Sequence, residues 1–151
     1  EADGAAAADL DAMDAAVSAL SDAAGAATLD DVSLARVANA VSGPMDELFA
    51  LYDDPVPASI LALDYGGREV SLDAMDGAVE AAGADIDQLD AVWATVRDQV
   101  LTAGGDAEAA DYDASLTRQH ELVSAGDAAG LLTESNAGLE LVDALEGVFG
   151  G

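Results

Sequence analysis

The stretch Ile86–Leu101, IDQLDAVWATVRDQVL, constrains the fold most. Its large apolar residues Ile86, Leu89, Trp93, Val96 and Val100 recur at alternating steps of three and four, which lays them along one stripe of a helix. A stripe of that kind is stable in water only when other apolar surfaces cover it. Similar spacings recur along the chain, so the expected architecture is all-α: an antiparallel bundle of four to six helices joined by short glycine-marked turns. With 151 residues the chain fits one domain. Residues 1–8, EADGAAAA, hold no large apolar residue and read as a flexible tether, leaving 9–149 as the bundle.

Leu10, Met13, Val17 and Leu20 outline a first helix that weakens near Gly25. Thr28, with Asp31 three residues on, resembles the start of a second, whose stripe is Leu34, Val37 and Val41. Ser42, Gly43 and Pro44 interrupt it, because proline fits a first turn better than a helix interior. Met45, Leu48, Phe49 and Tyr52 then resume the stripe, which predicts a kinked or broken second helix. After Pro55 and Pro57 a third helix is expected from Ala58 to Ala82, with Gly66 and Gly67 marking a kink or the close approach of another backbone. Gly83 is expected to end it, ahead of the central helix. A fifth helix follows Gly105 with Tyr112, Leu116, His120 and Val123 on one face. The last, capped by Gly126 or Asp127, carries Leu131, Leu132, Leu139, Val142, Leu145 and Phe149. LDAMDAAV (Leu10–Val17) returns as LDAMDGAV (Leu72–Val79), a hint of a duplicated helical unit.

The charge balance says where such a bundle could live. Thirty-one Asp and Glu face four basic residues, Arg36, Arg68, Arg97 and Arg118, for a net charge of −27, and there is no lysine. The carboxylates are spread over every helix rather than gathered in one acidic patch. Such a surface suits a halophile: in roughly molar salt the Debye length falls to about 3 Å, and neighbouring carboxylates repel far less. Four scattered arginines cannot neutralise a phosphate backbone, which argues against nucleic acid as a partner. No cysteine is present, which excludes thiolate chemistry. No apolar run is long enough for a membrane span. The chain starts at Glu1 without methionine, as would a mature protein released from a signal or lipid-anchoring segment, or one freed from a tag.

Few residue patterns carry chemistry. His120 is the single histidine; at the edge of a helix stripe such a residue is more often hydrogen-bonded structure than a ligand. Its functional reading pairs it with Met13, since helical bundles can hold haem or a metal between methionine and histidine on facing helices. Asp85, Asp87 and Asp90 resemble a calcium loop but lack the glycine and glutamate an EF-hand needs. No Glu-x-x-His pair, GxSxG elbow or glycine-rich phosphate loop occurs, so no catalytic residue is assigned and the chain is expected not to be an enzyme. Asp64 and Arg68 are in register for an i,i+4 ion pair. The arginines read as ties between acidic helices, with anion binding by Arg68 or Arg97 the functional alternative. Tyr52, Tyr65, Tyr112 and Trp93 fall at core spacing rather than forming a cofactor box.

LDYGGRE (Leu63–Glu69), WATVRDQV (Trp93–Val100), the following double glycine, DYD (Asp111–Asp113) and LVDALEGVF (Leu141–Phe149) together resemble a group of uncharacterised bacterial periplasmic or lipoprotein-like all-helical proteins, over about residues 60–149. The chain departs from that pattern at Gly66 and Asp98. The resemblance implies an exported helical domain and no activity. The expectation is thus a non-catalytic, extracytoplasmic module of a halophile, secreted, periplasmic or tethered at the cell surface, that binds a partner protein or a small ligand. The alternative is a metal- or haem-binding accessory protein using His120 with Met13, tyrosines or carboxylates. The candidate ligand contacts are His120, Met13, Arg68 and Tyr65, and no cofactor is expected outside that alternative.

Folding should depend on salt. Helical circular dichroism should be lost at low ionic strength and regained in molar KCl; full helicity in dilute buffer would count against the halophile reading.

Overall fold

The central stripe is buried as its spacing requires. In the computed structural model, which describes residues 4–26 and 30–150, Ile86, Val96 and Val100 are fully buried, and Leu89 and Trp93 are at most 5% exposed. The described residues form seven helices and no strands: α1 Ala7–Ala24, α2 Asp31–Asn39, α3 Met45–Phe49, α4 Ser59–Met75, α5 Val79–Thr102, α6 Asp106–Ala125 and α7 Ala128–Phe149.

The last four helices hold the core. Helix α4 packs on α5 and α7, and α6 packs on the same two, so α5 and α7 face each other across the bundle diagonal. Turns of two or three residues separate α4, α5, α6 and α7, which makes neighbours antiparallel. Ile60, Leu63 and Val70 of α4 meet the α5 stripe, Tyr112 and Leu116 of α6, and Leu131, Val142 and Leu145 of α7. Trp93 sits edge-on to Tyr112, ring centroids 4.9 Å apart, and its indole N–H donates to Asp113 Oδ1 at 2.7 Å, so the largest side chain buries its apolar face without losing its polar atom.

Glycines set the spacing of the helices. A Cβ on Gly66 would come within 2.7 Å of Leu89 on α5, and one on Gly67 within 2.8 Å of Leu139 on α7. The pair thus marks close approach of neighbours, one of the two structural readings of the motif. Gly83 does not end a helix. It lies inside α5, where a Cβ would stand 3.1 Å from Val123 of α6. The break falls earlier, at Gly77, whose φ of +71° only glycine adopts without strain. The expected third helix is therefore two, α4 and the first turns of α5. The same turn separates the apparent repeats: Leu10–Val17 lies within α1, whereas Leu72–Val79 spans the end of α4, the turn and the start of α5.

The second helix is broken beside Pro44 as expected, into α2 and α3. Asp30 caps α2, accepting from Ser33 N at 2.9 Å; the cap expected at Thr28 lies outside the described residues. Helix α1 begins at Ala7, inside the stretch read as a tether. The first three helices are attached to the bundle rather than enclosed by it: α1 packs on α2, and α2 and α3 pack on α4. No residue of α1 is buried, so its stripe of Leu10, Met13, Val17 and Leu20 forms a helix face without entering the core. Tyr52, at core spacing in the sequence, is 71% exposed beyond the end of α3.

Replacing Trp93 with alanine removes the anchor between α5 and α6 and should cost about 3–5 kcal/mol in denaturant unfolding at 2 M KCl; a change under about 1 kcal/mol would mean the indole is not a core element.

Candidate functional site

A cleft of about 400 Å³ opens where α3, α4 and α5 meet, with Asp46, Tyr65, Glu69, Asp85, Leu89 and Val92 among its lining residues. The helices place these groups by simple register. Tyr65 and Glu69 are four apart on α4, Asp85, Leu89 and Val92 follow one face of α5, and Asp46 stands in the first turn of α3 behind the Pro44 break. Gly43 lies against the Tyr65 ring, which a Cβ there would meet at an ordinary contact distance of 3.5 Å.

Behind this wall Arg36 reaches from α2 and divides its guanidinium between Glu69 Oε2 and Asp73 Oδ1, both at 2.8 Å, and Asp76 Oδ2 at 3.1 Å. Asn39, the buried residue of α2, donates through Nδ2 to Glu69 Oε1 at 2.7 Å and to the Tyr65 carbonyl at 3.2 Å, while its Oδ1 is buried without a donor. Burial, reinforced by the neighbouring charges of Asp73 and Glu69, pushes the Asp85 carboxyl from its ordinary 3.8 up to about 6. Burial likewise raises Tyr65, with Glu69 adding to the effect. The cleft is therefore a half-buried, strongly negative concavity with an apolar floor.

A second cluster lies on the seam between α5 and α6. His120 Nε2 is 2.7 Å from Asp90 Oδ2, an ion pair when the imidazole is protonated and a hydrogen bond when it is neutral. Asp87 adds a third group, and one atom from each of the three falls within 4.8 Å of the others. Position 119 rather than 120 is the buried one because Gln119, seven residues after Tyr112, returns to within about 20° of it, whereas His120 is turned by about 80°. His120 thus sits at the rim of the core, as its spacing suggested, but beside Asp90 rather than Met13; Met13 is on α1, which packs against α2.

The other residues singled out in the sequence separate. Arg68 pairs with Asp64 at 2.6 Å along α4, the expected i,i+4 geometry, and Tyr65 alone of the candidate ligand contacts lines the cleft. Asp46, Glu69 and Asn39 were not visible as site residues. In a chain with 31 acidic side chains no single carboxylate stands out, and their convergence comes from the packing of three helices.

A third feature is apolar. Leu10, Val17, Leu34, Phe49, Leu51 and Tyr52 on and after α1–α3 are exposed large hydrophobics. Gly4, just before α1, lies beside the Leu51 side chain, so the start of α1 and the end of α3 share one end of the arm. Next to them Phe49, Val56, Pro57 and Leu61 line a recess of about 190 Å³ rimmed by Asp54 and Glu146.

The Asp85 carboxyl makes the fold sensitive to pH in a defined direction. Its folded value is raised, so the folded state keeps its proton longer than the unfolded chain, and stability falls as pH climbs from about 4 to about 6. Asp85→Asn should unfold at higher denaturant than the parent at pH 7, with the advantage fading by pH 4; an equal advantage at both pH values would show that Asp85 does not carry this dependence. No protein family, curated protein or solved structure matches the chain.

Proposed function

We propose that the chain is a non-catalytic helical module of a salt-adapted organism that docks a partner protein outside the cytoplasm, and that the arm formed by α1–α3 is its docking face. The observation that carries this reading is an 18-residue helix with no buried residue, set beside exposed Phe49, Leu51 and Tyr52. Apolar groups gathered in this way cost free energy in water unless a partner covers them. The extracytoplasmic setting rests on the resemblance of the C-terminal stretch to exported helical proteins. No described helix is long and apolar enough to cross a membrane.

Charge chooses the partner's chemistry. Asp9, Asp11, Asp14 and Asp22 flank the α1 stripe, which has no basic residue, and Asp54 and Glu146 rim the recess beside Phe49. The matching partner is an amphipathic helix with one large apolar anchor for the recess and Lys or Arg on either side of it. A second copy of this chain would set carboxylates against carboxylates.

A synthetic Leu/Lys amphipathic helix tests the face in 2 M KCl, where diffuse charge attraction is screened within about 2 Å. It should bind saturably, and Phe49→Ser with Tyr52→Ser should weaken it by about tenfold while changing stability by no more than about 1 kcal/mol. Binding indifferent to those substitutions would remove the arm from the proposal. Sedimentation of the free protein should give a monomer; a dimer abolished by the same substitutions would reassign the face to self-association.

The juxtaposition of Asp87, Asp90 and His120 favours a second reading, a divalent-metal accessory protein with these carboxylates taking the place expected for Met13. A metal held at 100 times its dissociation constant should then stabilise the fold by about 2.7 kcal/mol in thermal unfolding, and His120→Ala should remove the shift.

A further inference from the structure

The cleft between α3, α4 and α5 is short of positive charge. One guanidinium, that of Arg36, serves Glu69, Asp73 and Asp76, while the charges of Asp73 and Glu69 bear on Asp85. Neither Asp85 nor Asp46 has an ion-pair partner among the described residues, and Arg68, the other arginine of this region, is turned to Asp64. Asn39 braces the wall from behind and is not among the residues that line the cleft. It is 6% exposed, its Nδ2 is bonded to two residues of the cleft wall, and the Oδ1 of the same amide is a buried acceptor with no donor. Carboxylates without an ion-pair partner, half-buried beside other carboxylates, are stabilised by a ligand that brings a positive charge.

The shape of the cleft says which kind of cation. A bare divalent ion needs several oxygens drawn together around one point. Among the described residues, two carboxylates and an imidazole converge within 4.8 Å at Asp87, Asp90 and His120, and the carboxylates of the cleft form no such group. They stand apart instead, around a floor of Leu89 and Val92 and the half-buried Tyr65, in a volume within the range of small-molecule sites. We infer that this cleft binds a small organic cation, an ammonium or amidinium group on an apolar body, with Asp46, Glu69 and Asp85 around the charge and Leu89, Val92 and the Tyr65 ring against the body. An aromatic ring facing an alkylated cation adds attraction of its own. The site shares α3 with the arm but is lined by none of the arm's exposed apolar residues.

Benzylammonium chloride titrated into isotopically labelled protein in 2 M KCl tests the inference, with amide chemical shifts as the readout. Saturable shifts should centre on Tyr65, Glu69, Asp85 and Val92, and benzyl alcohol, the neutral counterpart, should produce none. Asp85→Asn and Asp46→Asn should each weaken binding by about tenfold, the loss of one charged hydrogen bond, whereas Asp111→Asn on the exposed face of α6 should leave it unchanged. Asp85→Asn removes a half-buried charge and spares the Arg36 clasp, so it tests the ligand without dismantling the wall. Shifts that never saturate, that spread over all acidic helices, or that survive both cleft substitutions would overturn the proposal. Calcium chloride giving the same saturable shifts at the same residues would overturn it in favour of a bare metal ion.

Discussion

At Gly66 and Gly67 consecutive residues of α4 present bare backbone to two different helices. Leu89 fills the space over the first and Leu139 the space over the second, each where a Cβ would stand under 3 Å away. Two glycines in a helix interior weaken it by about 1 kcal/mol each, and the tight packing of α5 and α7 on both flanks of α4 offsets that loss. With those flanks taken, the remaining face of α4 receives α2 and α3. The cleft and the Arg36 clasp exist because that third face is left over.

Charge is arranged with the same economy. Arg36 joins α2 to α4, and Arg97 joins α5 to α6 through Asp113, whose carboxyl the guanidinium holds below its usual range. Arg68 and Arg118 pair within their own helices. Two of the four cations therefore tie helices together and two steady single ones, leaving most carboxylates to water and salt. Partly exposed pairs of this kind contribute modestly one by one. Their value is positional: Arg36 fixes where α2 crosses α4, and with it where Asn39 meets Tyr65 and Glu69.

Periodicity read from the chain identified what depends on local geometry. The Ile86–Val100 stripe, the break beside Pro44 and the Asp127 cap, which accepts from Gly130 N, all follow from neighbours within a turn or two. It overran at Gly77 because Leu72–Val79 keeps helical apolar spacing straight through a turn, and spacing does not record φ. It put Tyr52 at core spacing and counted the Leu10–Leu20 helix within the bundle because a stripe shows that a face is apolar, not that another element covers it. The cleft escaped notice for a different reason. Tyr65 was conspicuous as an aromatic, but Asp46, Glu69 and Asp85 come from three helices and look like every other carboxylate, and Asn39 signals its role only through burial.

Gly77 also bears on how many chains make one bundle. Position 15 in α1 holds alanine where the matching octapeptide has Gly77, and there the helix simply continues. If residue 77 behaved likewise, α4 and α5 would fuse into a rod from Ser59 to Thr102, about 66 Å long at 1.5 Å per residue. Within such a rod α5 could no longer fold back on α4, and the leucine seats at Gly66 and Gly67 would be met by helices from another molecule. The left-handed turn at one glycine thus separates a self-contained bundle from a pair of chains that exchange halves.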